Sequence, residues 1–264
     1  MSESLSVVIL VGGAGTRLGR EGEVPPKAMV EVGDRPILWH VMKIYAAYGH
    51  THFILPLGYR GDWIRRYFME YNTMSRPLTF RLSQESKPEF YSEQPESDWS
   101  ITLFESGLPN RTEKGAHIRK SQPYLKSDTF FVTYGDGVGN IDIDALLRFH
   151  RAHGKLATVT GVQPFSQYGL LDADRHGRVM GLREKPQLDH WINAGFFVFE
   201  PGVFDYLQGG ESVDLERQVL PRVVADGQLM MYKHTGFWGK MDTFKEAQKL
   251  TELWESGQAP WKVW

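Results

Sequence analysis

Residues 5–11 form an unbroken run of apolar side chains that glycines end at once. Apolar residues on both faces predict a buried parallel strand, because such strands are covered by helices on each side. Residues 36–48 carry apolar positions at helical spacing, with Pro36 at the start and Gly49 after the end, and predict a helix. An apolar run at 52–57 and an amphipathic helix at 59–71 repeat the alternation. That order predicts an α/β fold, a doubly wound and mostly parallel Rossmann-like sheet.

The pattern changes at 79–82, which alternates as a short strand, and at 84–98, which is polar and rich in turn formers. Strand character returns at 99–104, so the intervening stretch reads as a lid or an excursion from the sheet. Residues 129–134 predict the next buried strand, running straight into Gly135-Asp136-Gly137. A helix is expected at 143–153, a strand at 157–162 and a closing helix at 244–257. Between them 168–172, 179–184 and 194–199 predict a smaller β-rich lobe. With no internal repeat and no low-complexity linker, 1–264 is expected to be one domain, with a core at about 1–160 and a second part at about 161–264.

Composition narrows the partners. The 264 residues suffice for a sizeable core, and a net charge of −2 gives no electrostatic reason for nucleic-acid or membrane binding. The chain has no cysteine, which excludes disulfides, thiolate zinc sites and cysteine nucleophiles and is compatible with a reducing cytoplasm. The first apolar run is too short to cross a bilayer and has no basic leader, so a soluble, cytoplasmic protein is expected.

The candidate chemistry begins at Gly12-Gly13-Ala14-Gly15-Thr16-Arg17-Leu18-Gly19, where the first strand ends. Small residues let backbone amides approach phosphate oxygens, and Arg17 adds a forked donor. No Gly-Lys-Ser/Thr ending is present, so the segment is not a P-loop, and Gly15 and Gly19 are too far apart for the dinucleotide fingerprint. A plain strand-to-helix turn is the competing explanation. Lys27, held among prolines in Val24-Pro25-Pro26-Lys27, favours phosphate binding over a solvated surface lysine. Asp136 follows an apolar strand, at the strand end where ligands bind in open α/β sheets. Asp142 and Asp144 read as helix-start residues.

These segments together resemble the sugar nucleotidyltransferase family, in its glucose-1-phosphate cytidylyltransferase branch. Gly-Gly-x-Gly-Thr-Arg-Leu with the following lysine and Met-Val-Glu-Val-Gly carries the likeness. So do Pro36-Ile-Leu-Trp-His-Val-Met-Lys-Ile-Tyr45, Tyr134-Gly-Asp-Gly-Val138, Gly154-Lys-Leu-Ala-Thr158 and Trp191-Ile-Asn-Ala-Gly-Phe-Phe-Val198. Gly236-Phe-Trp-Gly-Lys-Met-Asp-Thr243 and the tail from Leu253 to Trp264 extend it nearly end to end. The resemblance implies Mg²⁺-dependent transfer of a nucleoside monophosphate from a nucleoside triphosphate, CTP favoured, to a hexose 1-phosphate such as glucose 1-phosphate. It implies Mg²⁺ held by Asp136 and Asp242, with Arg17 and Lys27 as the other catalytic residues. Leu10, Gly12, Gly13, Ala14, Gly15, Thr16, Arg17, Lys27, Thr112, Gly115 and Gly135 are the implied nucleotide contacts. Tyr168, Gly169, Glu184, Lys185 and Asn193 are the implied sugar-phosphate contacts. Partners are the two substrates and, by the same likeness, further copies of the chain in a trimer or hexamer.

Three departures from the family pattern touch the substrate sites. A Lys-Pro-Lys-Pro segment is here Pro25-Pro26-Lys27-Ala28, Thr-x-Thr-Gly-Gly-Arg is here Thr112-Glu-Lys-Gly-Ala-His117, and Arg-Phe-Gly is here Gln167-Tyr-Gly169. Histidine does not replace a fixed guanidinium, although Lys114 is placed to compensate. Another nucleotide, or a modified sugar or cyclitol phosphate, is therefore the alternative substrate expectation. A non-catalytic nucleotide or sugar-phosphate sensor is the alternative from a different class. A metal-dependent glycosyltransferase would use Asp-x-Asp, but Asp142-Ile-Asp144 and Asp172-Ala-Asp174 do not follow an apolar strand as Asp136 does.

Overall fold

The computed structural model describes residues 4–12, 25–82, 87–107 and 112–264. Gly13, Ala14, Gly15, Thr16 and Arg17 lie outside the described residues, as do 84–86 of the polar excursion. Ser6–Leu10 is the first strand, buried along its whole length, and pairs in parallel with His52–Leu57 and with Phe130–Tyr134. Ser100–Glu105 adds in parallel to His52–Leu57. The sheet is mostly parallel with eight strands among the described residues.

Alternate residues of the buried strands feed two cores. Val7, Ile9, Phe53, Leu55 and Phe131 face one side, where they meet Ile37, Leu38, Val41 and Ile44 of the helix Ile37–Ala46 and Leu146 of Ile143–His153. Val8, Leu10, Ile54, Phe130 and Val132 face the other, against Ile118 of Lys114–Ser121 and the Val203–Phe204–Leu207 segment. Burial on both faces is what the unbroken apolar runs require, since neither face is left to water. The α/β expectation is met.

The later strands depart from the expected division. Phe197–Phe199 joins the central sheet, antiparallel to both Phe130–Tyr134 and Ala157–Val162, and Leu229–His234 pairs in parallel with Ala157–Val162. An apolar triplet with both faces buried needs strand neighbours, and a separate small lobe would leave it exposed. Of the segments expected in that lobe, Leu170–Ala173 and Val179–Arg183 pair with each other in a two-stranded sheet apart from the central one. The expected strand at 79–82 is reduced to Leu78–Thr79, paired with Glu89–Phe90. The excursion is anchored by Glu96, whose side chain is 7% exposed and accepts from Tyr71 and Gln94 beside Lys43. No helix among the described residues is long and apolar enough to cross a membrane.

Two buried histidines give the fold an acid limit. His40 faces Val32 O at 2.9 Å and takes a bond from Trp261 Nε1, and burial pushes its pKa down to about 4. Burial, helped by nearby Lys120, does the same to His117, again to about 4. The unfolded chain protonates each ring near 6.5, while the folded chain does so only near 4. The unfolded state thus holds more protons between those values, and stability falls as pH drops from about 6.5 to 4. Unfolding free energies from urea titrations are expected to decline through that window, by at most ~1.4 kcal/mol per pH unit for each histidine. A flat profile from pH 7 to 4.5 contradicts this.

Candidate active site

The carboxyl ends of Ser6–Leu10 and Phe130–Tyr134 open into a cleft of about 560 Å³. Its lining includes Leu10, Gly12, Lys27, Thr112, Gly135, Asp136, Asn193 and Asp242, which the sequence places far apart. Gly135 sits where a Cβ would come within 3.1 Å of Val11 and 3.2 Å of Leu10 O. Glycine there lets the strand end close against its neighbour and turn Asp136 into the opening.

A two-stranded ribbon makes the aspartates neighbours. Gly137–Gly139 pairs antiparallel with Trp238–Lys240, with Gly137 opposite Lys240. The Met241 amide then donates to Asp136 O at 2.9 Å. Asp242 lies immediately beyond, just before the N-cap Thr243 of the helix Phe244–Glu255. Glu246 reaches back to accept from the amides of Asp242 and Thr243, both at 2.8 Å, completing a capping box. These backbone contacts fix the separation of the two carboxylates before any ligand arrives.

Lys27, on the short turn Lys27–Met29, donates to both Asp136 and Asp242. Lys240 donates to the other oxygen of Asp242. Burial alone would lower the Lys27 pKa, but Asp136 and Asp242 outweigh it and raise the ammonium above its usual value. Burial would likewise raise the Asp242 carboxyl, yet bonds from Lys240 and Lys27 bring it down to about 2. Both groups are charged throughout the physiological range.

Two carboxylate oxygens meeting at one cationic point are a donor set that fits Mg²⁺, which takes a few carboxylates and completes its shell with phosphate oxygens and water. No cluster of three or more ligating side chains occurs among the described residues, so any such ion would depend on its substrate for further ligands.

A polar chain borders the cleft beside this centre. Glu216 accepts from Lys114 at 2.5 Å and from the Tyr134 hydroxyl at 2.7 Å, and Asn193 donates to that hydroxyl at 3.0 Å. Burial and then the Glu216 charge raise the Tyr134 pKa, so it stays a neutral hydroxyl. Gly195, at φ +79°, carries the loop past the Tyr134 ring, where a Cβ would lie 2.9 Å away. His117, uncharged at neutral pH, contacts Ser106 Oγ at 2.6 Å and faces Gly12.

Other sequence candidates lie elsewhere. Gly115 does not line the cleft; its Cα packs against Val213, whose carbonyl would be 2.6 Å from an added Cβ. Tyr168, Gly169, Glu184 and Lys185 are exposed beside the isolated hairpin and are not in the cleft wall, with Lys185 paired to Glu184 at 3.6 Å. Glu216, Tyr134, Trp238 and Lys240 were missed. Tyr134, Trp238 and Lys240 stand inside the quoted sequence blocks, but Glu216 sits on a helical turn, Leu215–Val219, with no local signal.

The carboxylate pair and lysine meet in a cleft at the strand ends of an open α/β sheet, and the chain belongs to the nucleotidyl transferase family, whose model matches residues 6–252. Over 262 residues it is 42% identical to glucose-1-phosphate cytidylyltransferase of Salmonella typhimurium, covering 98% of this chain and 100% of that one. It is 40% identical to the probable glucose-1-phosphate cytidylyltransferase of Bacillus subtilis, covering 98% and 100%. The fold is similar to HddC from Yersinia pseudotuberculosis, with a TM-score of 0.68 at 21% identity over 95% of this chain and 99% of that one.

Proposed function

We propose that the chain transfers a nucleoside monophosphate from CTP to a hexose 1-phosphate such as glucose 1-phosphate, releasing pyrophosphate and forming a nucleoside-diphosphate sugar. The observation that carries this is the convergence of Asp136, Asp242 and Lys27 in one cleft, in a chain similar over 98% of its length to a glucose-1-phosphate cytidylyltransferase. In the reaction a sugar-phosphate oxygen attacks the α-phosphorus, and the bond to the bridging oxygen of pyrophosphate breaks. Such a transfer needs alignment and charge neutralisation and no protein nucleophile. Asp136 and Asp242 would hold Mg²⁺, which supplies positive charge against the triphosphate. Lys27 adds a fixed ammonium to the same phosphates, and Arg17 is assigned there by family resemblance. Asn193, Tyr134 and Glu216 supply donors and acceptors suited to sugar hydroxyls. Lys185 of the Glu184-Lys185-Pro186 segment is proposed as the sugar-phosphate anchor, with Tyr168 and Gly169 beside it. We also assign the enzyme to the cytoplasm and to a homo-oligomer, which light scattering checks.

A second reading keeps the chemistry and changes a substrate. It is favoured by His117, buried and uncharged where the family pattern has an arginine. Pyrophosphate release measured for each common nucleoside triphosphate against a panel of sugar and cyclitol 1-phosphates separates the readings. CTP with glucose 1-phosphate is expected to give the highest kcat/KM. A different best pair establishes the second reading, and binding without turnover for every pair replaces both with a sensor.

A further inference from the structure

Lys240 has no role in the transfer chemistry above, yet it lies in the same cleft. It ends the Trp238–Lys240 strand opposite Gly137, the residue after Asp136. Trp238 and Lys240, two residues apart on this strand, share a face, and both line the cleft. Its side chain is 48% exposed, against 16% for Lys27. The two ammonium groups divide the carboxylates: Lys27 contacts Asp136 and Oδ1 of Asp242, and Lys240 contacts Oδ2 of Asp242.

A dication held by the aspartates changes that balance. It weakens the hold of Asp242 on a neighbouring ammonium and repels the ammonium directly. Lys240, on a flexible and strongly hydrated stem at the open side, is free to leave. A phosphate oxygen of a substrate bound in the cleft is then an available partner for the freed ammonium. The geometry points to Lys240 as a further phosphate-binding residue, parked on Asp242 until a divalent cation takes that carboxylate. Its ligand class is a phosphate ester or polyphosphate. This rests on the nucleotidyl-transfer reading of the site.

Inorganic tripolyphosphate is the probe, titrated calorimetrically into the wild type, Lys240→Met and Lys240→Arg, with Mg²⁺ and again with a chelator. With Mg²⁺, Lys240→Met is expected to weaken binding about tenfold or more, as loss of a charged hydrogen bond does, while Lys240→Arg stays near the wild type. With chelator the wild type and Lys240→Met should agree within about threefold, because Asp242 still holds the lysine. Mn²⁺ titrated without phosphate should bind Lys240→Met as tightly as the wild type or more so, since a repelling charge is gone. Weaker Mn²⁺ binding would show that Lys240 merely orients Asp242, and equal tripolyphosphate binding with Mg²⁺ would show that it contacts no phosphate; either overturns the proposal. An active wild type with such a result sinks the Lys240 assignment alone, whereas a wild type that releases no pyrophosphate from any substrate pair sinks the transferase reading beneath it.

Discussion

Asp136→Ala is expected to lower the rate of pyrophosphate release by at least about a thousandfold, equivalent to ~4 kcal/mol of transition-state stabilisation. The side chain is one of two carboxylates converging on a single point of the cleft, and one aspartate is a poor substitute for the pair as a ligand for a dication. Lys27 also loses one of its two partners and is no longer centred between them. The fold should survive, because Asp136 is held in the ribbon through its backbone oxygen and its side chain is 29% exposed. Asp242→Ala should do comparable damage, and the double variant little more, since the two carboxylates act as one unit. Single-turnover assays at saturating Mg²⁺, with circular dichroism as the folding control, provide the measurement. Activity of either single variant within tenfold of the wild type would remove the pair from the chemistry.

Phe131→Ala should do the reverse, destabilising the fold without touching a ligand. Phe131 is fully buried in the Phe130–Tyr134 strand, with its ring 5.3 Å from that of Tyr45 and 4.8 Å from that of His50. Removing it takes away apolar burial and leaves a cavity that close-packed neighbours fill only in part. The expected cost is about 3–5 kcal/mol. Denaturant midpoints should show it directly, and a melting temperature lower by roughly 10 °C is expected for a chain of this size. At low temperature the variant should retain activity, since Asp136 and the ribbon are unaltered. A midpoint within ~1 kcal/mol of the wild type would mean that the central strand is not packed as described.

These variants separate what the two cores do from what the ribbon does, and the sequence was unequally informative about them. The runs at 52–57 and 157–162 were legible because strands buried on both faces carry few polar positions, here His52, Thr158 and Thr160. The helix Ile143–His153 was equally plain, with Asp142 as its N-cap and Gly154 in the left-handed conformation beyond its last turn. Phe197–Phe199 was misassigned to a lobe because an apolar triplet says that it is buried and not which strands flank it. Its place beside Phe130–Tyr134 is set by antiparallel pairing across more than sixty intervening residues.

The candidate site divides in the same way. By itself the sequence determined the apolar strands, the glycine that frees the end of one of them, and the carboxylate at Asp136, because each depends on the chemistry of adjacent residues. Nothing local could join Asp136 to Asp242, or Glu216 to Tyr134, since side chains remote in sequence meet only when backbone hydrogen bonds bring their segments together. The family resemblance implied the first of those pairs, and the tertiary structure brings both together through the ribbon of Gly137–Gly139 with Trp238–Lys240 and through the turn carrying Glu216. It also left Lys185 and its neighbours on a hairpin outside the cleft wall, a position that hydrophobic patterning could not supply because that hairpin is exposed on both faces.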